Sequence, residues 1–349
     1  MNLDSSVLEL NGVKKYFPVH GGIFLGRKED VRAVDGVSLV IRKGETLGLV
    51  GESGCGKSTL GRCIAGLYKL TDGTIKLHGE DISRLKSGEL KALRLRMQMI
   101  FQDPFESLNS RHTVEEILQE KYIIHKLPQK KDGIDEISAL LQKVGLPENA
   151  RGKFPHEFSG GQRQRIGIAR AISLDPEIII CDEPVSALDV SVQSQILNLL
   201  LALQKEMGLT CLLISHDLSV VRHLSDHIAV MYLGKIVETG RAESIYENPL
   251  HPYTQALISA IPIPDPEVKR NRIILKGDIP SPRNPPPGCR FHTRCPHAMD
   301  ICRKQEPILG EFPGKYPGIK SDEDEKHEAH MAACHLLFNL HVDKKRKYI

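Results

Sequence analysis

The chain has 349 residues, 40% of them apolar, with 47 basic and 44 acidic side chains and a formal net charge of +3. That length and apolar share predict one large α/β core with a smaller appended module. From this near balance of charge neither a nucleic-acid footprint nor a broadly membrane-attracting surface follows, so charge does not name the partner. No apolar run approaches the ~18 to 20 residues of a spanning helix, and the N-terminal MNLDSSVLELNGV lacks a basic flank followed by an apolar stretch, so a cytosolic chain is expected. In that reducing setting the eight cysteines are read as metal ligands or reactive thiols rather than as a disulfide framework.

Residues 7–50 carry short β segments (VLELNGVKKYF, AVDGVSLVI, ETLGLVG) with turns at Gly36 and Gly44 and a Gly-containing insertion over 20–30. The pattern turns helical from Lys57 to Leu67, and again in amphipathic stretches from Thr113 to Lys153, which predict a helical insert ending near Pro155. Two short apolar runs, Ile178 to Cys181 and Leu209 to Ser215, read as buried parallel strands between helical segments. After Pro249 the composition changes. Pro262, Pro264, Pro266, Pro280, Pro282, Pro285, Pro286 and Pro287 stiffen a stretch that cannot continue regular helix, which places a boundary near residue 255. The tail DKKRK reads as a solvated terminus.

Within this frame, GESGCGKST (Gly51 to Thr59) fits the phosphate-loop pattern G-x-x-x-x-G-K-[ST] between a strand and a helix, the context the pattern requires. Its residues Gly51, Ser53, Gly54, Cys55, Gly56, Lys57, Ser58 and Thr59 are candidate nucleotide contacts. Glycines let backbone N–H groups face phosphates, Lys57 reaches the terminal phosphates, and Ser58 is a candidate Mg²⁺ ligand. Cys55 is read as a passive small residue of the loop. In IIICDEP, Asp182 and Glu183 sit just past a strand's C-terminal end, where open α/β sheets place ligands. Asp182 suits Mg²⁺ coordination and Glu183 suits the general base that polarises water. His216 follows the next strand, and its candidate role is to orient water or touch the terminal phosphate.

FSGGQRQR (Phe158 to Arg165), with the phosphate loop before it and ICDEP one helix after it, resembles the signature of ATP-binding cassette ATPases. The resemblance implies a P-loop NTPase core with an antiparallel β subdomain, a helical subdomain over about 104–170, and a cassette spanning 1–255. It implies that Ser159, Gly160, Gly161 and Gln162, with Asp189 of SALD, serve the ATP held by an opposing subunit, so that function needs a dimer. Gln102 in MIFQDP matches the Q-loop glutamine, catalytic and Mg²⁺-contacting, and His216 the switch histidine. Tyr16 in KKYF matches the aromatic that stacks on adenine, although the neighbouring Phe17 makes simple packing in a strand the competing reading.

The segments FQDPFESLNSRHTVEEIL and NPLHPYTQALISAIP and the Pro-rich, cysteine-bearing tail are similar to the oligopeptide/dipeptide importer branch, and FQDPFESLN resembles its F-type ATPase subunit. That implies a D-type paralogue as heterodimer partner, two transmembrane permease subunits, an external peptide-binding protein acting indirectly, no nucleic acid, and a peripheral place on the cytoplasmic face of the membrane. The extension, 256–349, holds Cys289, Cys295, Cys302 and Cys334 at spacings longer than C-x-x-C zinc knuckles. By resemblance these would hold a [4Fe-4S] cluster, with Zn²⁺ or free thiols as alternatives. Outside transport, the competing function is a cassette ATPase of translation or DNA repair; within it, a regulatory subunit that does not hydrolyse ATP, or nickel or other small-solute import.

Overall fold

The computed structural model describes residues 6–19, 29–128, 133–262, 272–311 and 329–337. Most of the predicted insertion, Pro264, Pro266 and the DKKRK tail lie outside these residues.

Two sheets organise the chain. The first is antiparallel, in the order β2-β1-β4-β5, from β1 (Ser6–Val19), β2 (Glu29–Arg42), β4 (Asp72–Leu77) and β5 (Glu80–Asp81). The second has eight strands. Its parallel part runs β6 (Met97–Ile100), β7 (Ile178–Asp182), β8 (Thr210–Ser215), β3 (Thr46–Val50) and β9 (His227–Tyr232). The antiparallel strand β10 (Lys235–Arg241) follows, and the two-residue β12 (Met331–Ala332) and β11 (Gly310–Glu311) extend the edge.

β3 and β7 are buried at every position, as strands with both faces covered must be, and this is why they read as continuous apolar runs. One face packs against the antiparallel sheet and α1 (Lys57–Ile64), with α2 (Ser87–Arg96) at its margin. The other is covered by α3 (Pro104–Ser107), α4 (Val114–His125), α5 (Gly133–Lys143), α6 (Gly160–Ile172), α7 (Val190–Met207) and α8 (Leu218–Leu224). The expected helical insert is present as α3 to α6. Thr113 starts α4 with a capping box: its hydroxyl accepts from Glu116 N, and the Glu116 carboxylate accepts from Thr113 N at 2.7 Å.

The described C-terminal residues form a small cluster of their own, Ala332, Cys334 and Leu337 with Leu250, and also pack on the main core. They follow α9 (Ala242–Glu247) and α10 (Pro252–Ser259). Phe291 is 1% exposed and packs its ring against Tyr232 of β9, Tyr253 of α10 and His251. A short α11 (Asp300–Lys304) then places Cys302, whose carbonyl accepts from Cys289 N at 2.8 Å.

A buried polar knot fixes α10 to β10. Glu238, fully buried, accepts from the amides of Leu250 and His251 at 2.8 Å each and pairs with His330 at 2.7 Å. His251 caps α10 by accepting from Tyr253 N. Burial pushes its imidazole down to about 4, only partly offset by the Glu238 charge. The unfolded chain then binds more protons than the native one between about pH 4 and 6.5, so stability is full above 6.5 and falls as pH drops through that window. The lowered value is worth about 3 kcal/mol at about 1.4 kcal/mol per pKa unit. His251→Asn keeps an N-cap acceptor without the titration. Urea midpoints measured from pH 7.5 to 4.5 should fall less steeply for this variant than for the wild type.

Candidate nucleotide-hydrolysis site

The C-terminal ends of β3, β6, β7 and β8 open onto one cavity of about 1160 Å³. The loop after β3 forms its floor. Gly56 has φ +111°, and a Cβ there would meet the Ala33 carbonyl oxygen at 2.0 Å; at Gly51 a Cβ would meet the Met231 oxygen at 2.1 Å. Side chains are thereby kept from between the loop and the strands that support it. Lys57 begins α1, is 4% exposed, and donates from Nζ to the carbonyls of Gly51 at 2.8 Å and Glu52 at 3.1 Å. Ser53, Gly54, Cys55, Gly56, Lys57, Ser58 and Thr59 line the cavity; Gly51 lies behind it. Burial pushes the Cys55 thiol up, in keeping with a passive rather than a reactive role.

Ser58 Oγ donates to Asp182 Oδ1 at 2.7 Å, joining the loop to the end of β7. Asp182 is fully buried, and burial raises its pKa above the usual carboxylate value against the opposing pull of Ser58 and Arg62. Its Oδ2 has no hydrogen-bond partner, although Arg62 approaches at 4.0 Å. A hydroxyl beside a buried carboxylate oxygen without a hydrogen bond is the hard-oxygen donor set that Mg²⁺ takes, so these residues fit the ion.

Glu183, the next residue, faces the cavity and is joined on one oxygen by two partners, Gln102 Nε2 at 3.2 Å and His216 Nδ1 at 3.0 Å. Its backbone is left-handed, at φ +47°, and its N–H donates to Ile214 O at 3.0 Å. A strained non-glycine residue held by strand contacts beside a cavity is where mechanism is sought. Three motifs 81 and 33 residues apart in the chain thus meet at one carboxylate.

The predicted residues do not all gather here. Tyr16 is not part of the cavity wall. Its hydroxyl donates to Asp35 Oδ1, the Arg32 guanidinium lies 5.8 Å from its ring centroid, and the wall at that end is Val31, Arg32, Ala33 and Pro282. Ser159, Gly160, Gly161 and Gln162 also lie away from this chain's own cavity. Ser159 caps α6, accepting from Gln162 N while the Gln162 side chain accepts from Ser159 N at 3.0 Å. Asp189 caps α7 through its backbone, with its side chain exposed. Arg32, Arg62, Leu233, Gly234 and Pro282 line the cavity without belonging to any motif, and only the fold could place them.

The four tail cysteines are neighbours. Burial pushes Cys289 and Cys334 up to about 11; Cys302, Cys334 and Cys295 all add to the shift at Cys289, and Cys295 and Cys302 add to that at Cys334. Among the described residues, however, no three or more Cys, His, Asp or Glu side chains stand as a metal-holding group. Convergence is present; ligating geometry is not.

Residues 34–186 match the family described as "ABC transporter", and residues 237–302 match "Oligopeptide/dipeptide transporter, C-terminal region". The oligopeptide transport ATP-binding protein AppF of Bacillus subtilis (strain 168) is 54% identical over 334 residues, covering 95% of this chain and 97% of that protein. The oligopeptide transport ATP-binding protein OppF of Salmonella typhimurium is 52% identical over 322 residues, covering 90% and 96%. The chain is an ABC ATPase of the oligopeptide transporter family.

Solved cassettes share the architecture. The dimeric post-hydrolysis state of the ATP-binding cassette MJ0796 bound to ADP and Pi matches with a TM-score of 0.60 and 28% identity, covering 67% of this chain and 98% of that one. The cassette cbiO1 from Clostridium perfringens matches at TM-score 0.60 and 26% identity, covering 70% and 92%. No helix among the described residues is long and apolar enough to cross a membrane. For this ABC ATPase, Glu183→Gln should lower the ATP turnover of the assembled enzyme by a factor of about 100 or more, the contribution of a general base, while equilibrium ATP binding persists. Steady-state phosphate release set beside a nucleotide titration separates the two.

Proposed function

We propose that this ABC ATPase is the F-type motor subunit of a bacterial importer of dipeptides or oligopeptides, acting at the cytoplasmic face of the membrane beside a D-type paralogue and two permease subunits. The observation that carries the reading is likeness along the whole chain, extension included, to oligopeptide transport ATP-binding proteins. It is joined by an undegraded set of catalytic groups.

In this reading the triphosphate lies on the N–H groups of the loop, with Lys57 leaving its own loop carbonyls for the terminal phosphates. The adenosine end rests toward Tyr16 and the wall of Val31, Arg32 and Pro282. Mg²⁺, held by Ser58 and Asp182 with Gln102 nearby, offsets the phosphate charge when bound. Glu183 takes a proton from a water whose oxygen attacks the γ-phosphorus in line, the bond to the β,γ-bridging oxygen breaks, and ADP leaves as the anion. His216, already on Glu183, orients the carboxylate and the water. Ser159, Gly160, Gly161 and Gln162 close over the nucleotide of the opposing cassette, where the N-terminus of α6 favours an anion. Opening and closing pass to the permeases through Gln102 and the α3 to α6 helices.

Residues 1–255 are the cassette in this proposal and 256–349 the extension, in which Cys289, Cys295, Cys302 and Cys334 close around a [4Fe-4S] cluster. Their mutual electrostatic reach supports this; the thiols must move to ligating geometry.

Affinity capture of the chain from gently solubilised native membranes tests the transport reading. Two permeases and a second cassette subunit are expected; ribosomal or DNA-repair proteins in their place overturn it, and a nickel- or other solute-binding partner in the complex would replace peptide as cargo. Elemental analysis of anaerobically purified chain should find iron and sulfide in equal amounts. Zinc alone, or no metal, removes the cluster.

A further inference from the structure

The second residue of the phosphate loop, Glu52, brings a carboxylate into a loop that must receive a polyanionic triphosphate; it sits beside the cavity-lining stretch Ser53–Thr59 without lining the cavity itself. Nothing in loop chemistry asks for a carboxylate there, and unneutralised it would repel the ligand. Its partner comes from the other end of the chain. Arg294 donates from both terminal nitrogens, Nη1 to Oε2 at 2.6 Å and Nη2 to Oε1 at 3.1 Å, a two-pronged pair closing 242 residues of sequence. The guanidinium side chain is 8% exposed and the carboxylate 25%, so water screens the pair only in part.

Arg294 is itself held. It lies between Cys289 and Cys295 in a tight turn, where His292 N donates to Cys289 O and Arg294 N to Phe291 O, both at 3.0 Å. Phe291 anchors that turn in the core against Tyr253, whose hydroxyl accepts from Glu52 N at 2.8 Å. Glu52 O in turn accepts from Lys57 Nζ. Four residues before Arg294, Arg290 binds Asp35, the carboxylate that receives the Tyr16 hydroxyl, and the Leu233 carbonyl. The cysteine-bearing turn therefore grips the phosphate loop through one arginine and the base of the Tyr16 strand pair through another.

We propose that Arg294 is a positioning residue for the nucleotide: by neutralising Glu52 and holding it away from the phosphates, it makes ATP affinity depend on the cysteine-bearing turn of the extension. The proposal rests on the nucleotide site alone and not on the transported solute or on any metal at the cysteines. Removing the guanidinium frees the partly buried Glu52 carboxylate from its partner and lets it turn toward the loop's phosphate-binding stretch, so ATP binding weakens. Removing both charges abolishes the repulsion as well as the tie.

The test titrates a fluorescent ATP analogue into the full-length chain and into Arg294→Ala, Arg294→Lys and the double variant Glu52→Gln with Arg294→Ala, with a melting curve for each. Arg294→Ala should weaken binding about tenfold, the scale of one uncompensated charge about 10 Å from the phosphates at a surface-like dielectric. Arg294→Lys should recover part of it, and the double variant should return to within about threefold of wild type. In the assembled ATPase the Arg294→Ala change should appear in KM with kcat held within about twofold. Unchanged affinity in a normally melting Arg294→Ala overturns the proposal. If Arg294→Ala melts early, the double variant decides: affinity as poor as in the single variant means a merely structural arginine, and recovery supports the positioning role.

Discussion

The parallel register of β3, β8 and β7 is the constraint on which the site depends. Val50 lies opposite Ser215, and Asp182 opposite Ile214, so the three strands stop at nearly one level and their following residues must share one rim. Side-by-side parallel strands require both faces to be covered, and the helices and the antiparallel sheet supply that cover. The rim then carries the phosphate loop, the Asp182–Glu183 pair and His216 without any of them being brought there by a special contact. The hydrogen bond from Ser58 to Asp182 closes this arrangement and leaves one carboxylate oxygen free of hydrogen bonds for a cation.

Much of this was legible in the chain because its signals are local. A glycine-rich loop between a strand and a helix, carboxylates at the end of an Ile-rich run, and a histidine after the next run each declare chemistry and position together; in the structure Gln102 and His216 both reach Glu183, while Asp182 is held by Ser58. Ser159 and Gln162 form the helix cap that SGGQ suggests. What stayed hidden depends on distant pairs. Arg294 and Glu52 carry no local pattern, and neither do Phe291 and Tyr253, so how the C-terminal stretch meets the rest of the chain could not be read from sequence. In the structure Phe291 and the strands β11 and β12 merge it with the main sheet and core. Tyr16 shows the limit of motif matching: an aromatic at the expected place in a strand is held by Asp35 and does not line the cavity.

One cavity does not complete the catalytic apparatus. Gln102 and His216 stand on Glu183, while the α6 N-terminus, an anion-attracting helix end, does not line this chain's own cavity. A helix end with Ser159 and Gln162 exposed has N–H groups available to an external ligand. Under the proposed function this end serves the nucleotide of another cassette.

That division explains the resting contacts of the site. Lys57 sits on the carbonyls of Gly51 and Glu52, and Glu183 sits on Gln102 and His216, so both reactive groups are already engaged by their own chain. Each contact is replaceable by a better one once triphosphate and water are present: phosphate oxygens outcompete neutral carbonyls for an ammonium. The left-handed backbone of Glu183 persists because strands on either side determine it, so the carboxylate need not search for its orientation. Glu183, Gln102 and His216 are thus assembled within a single chain before any ligand binds.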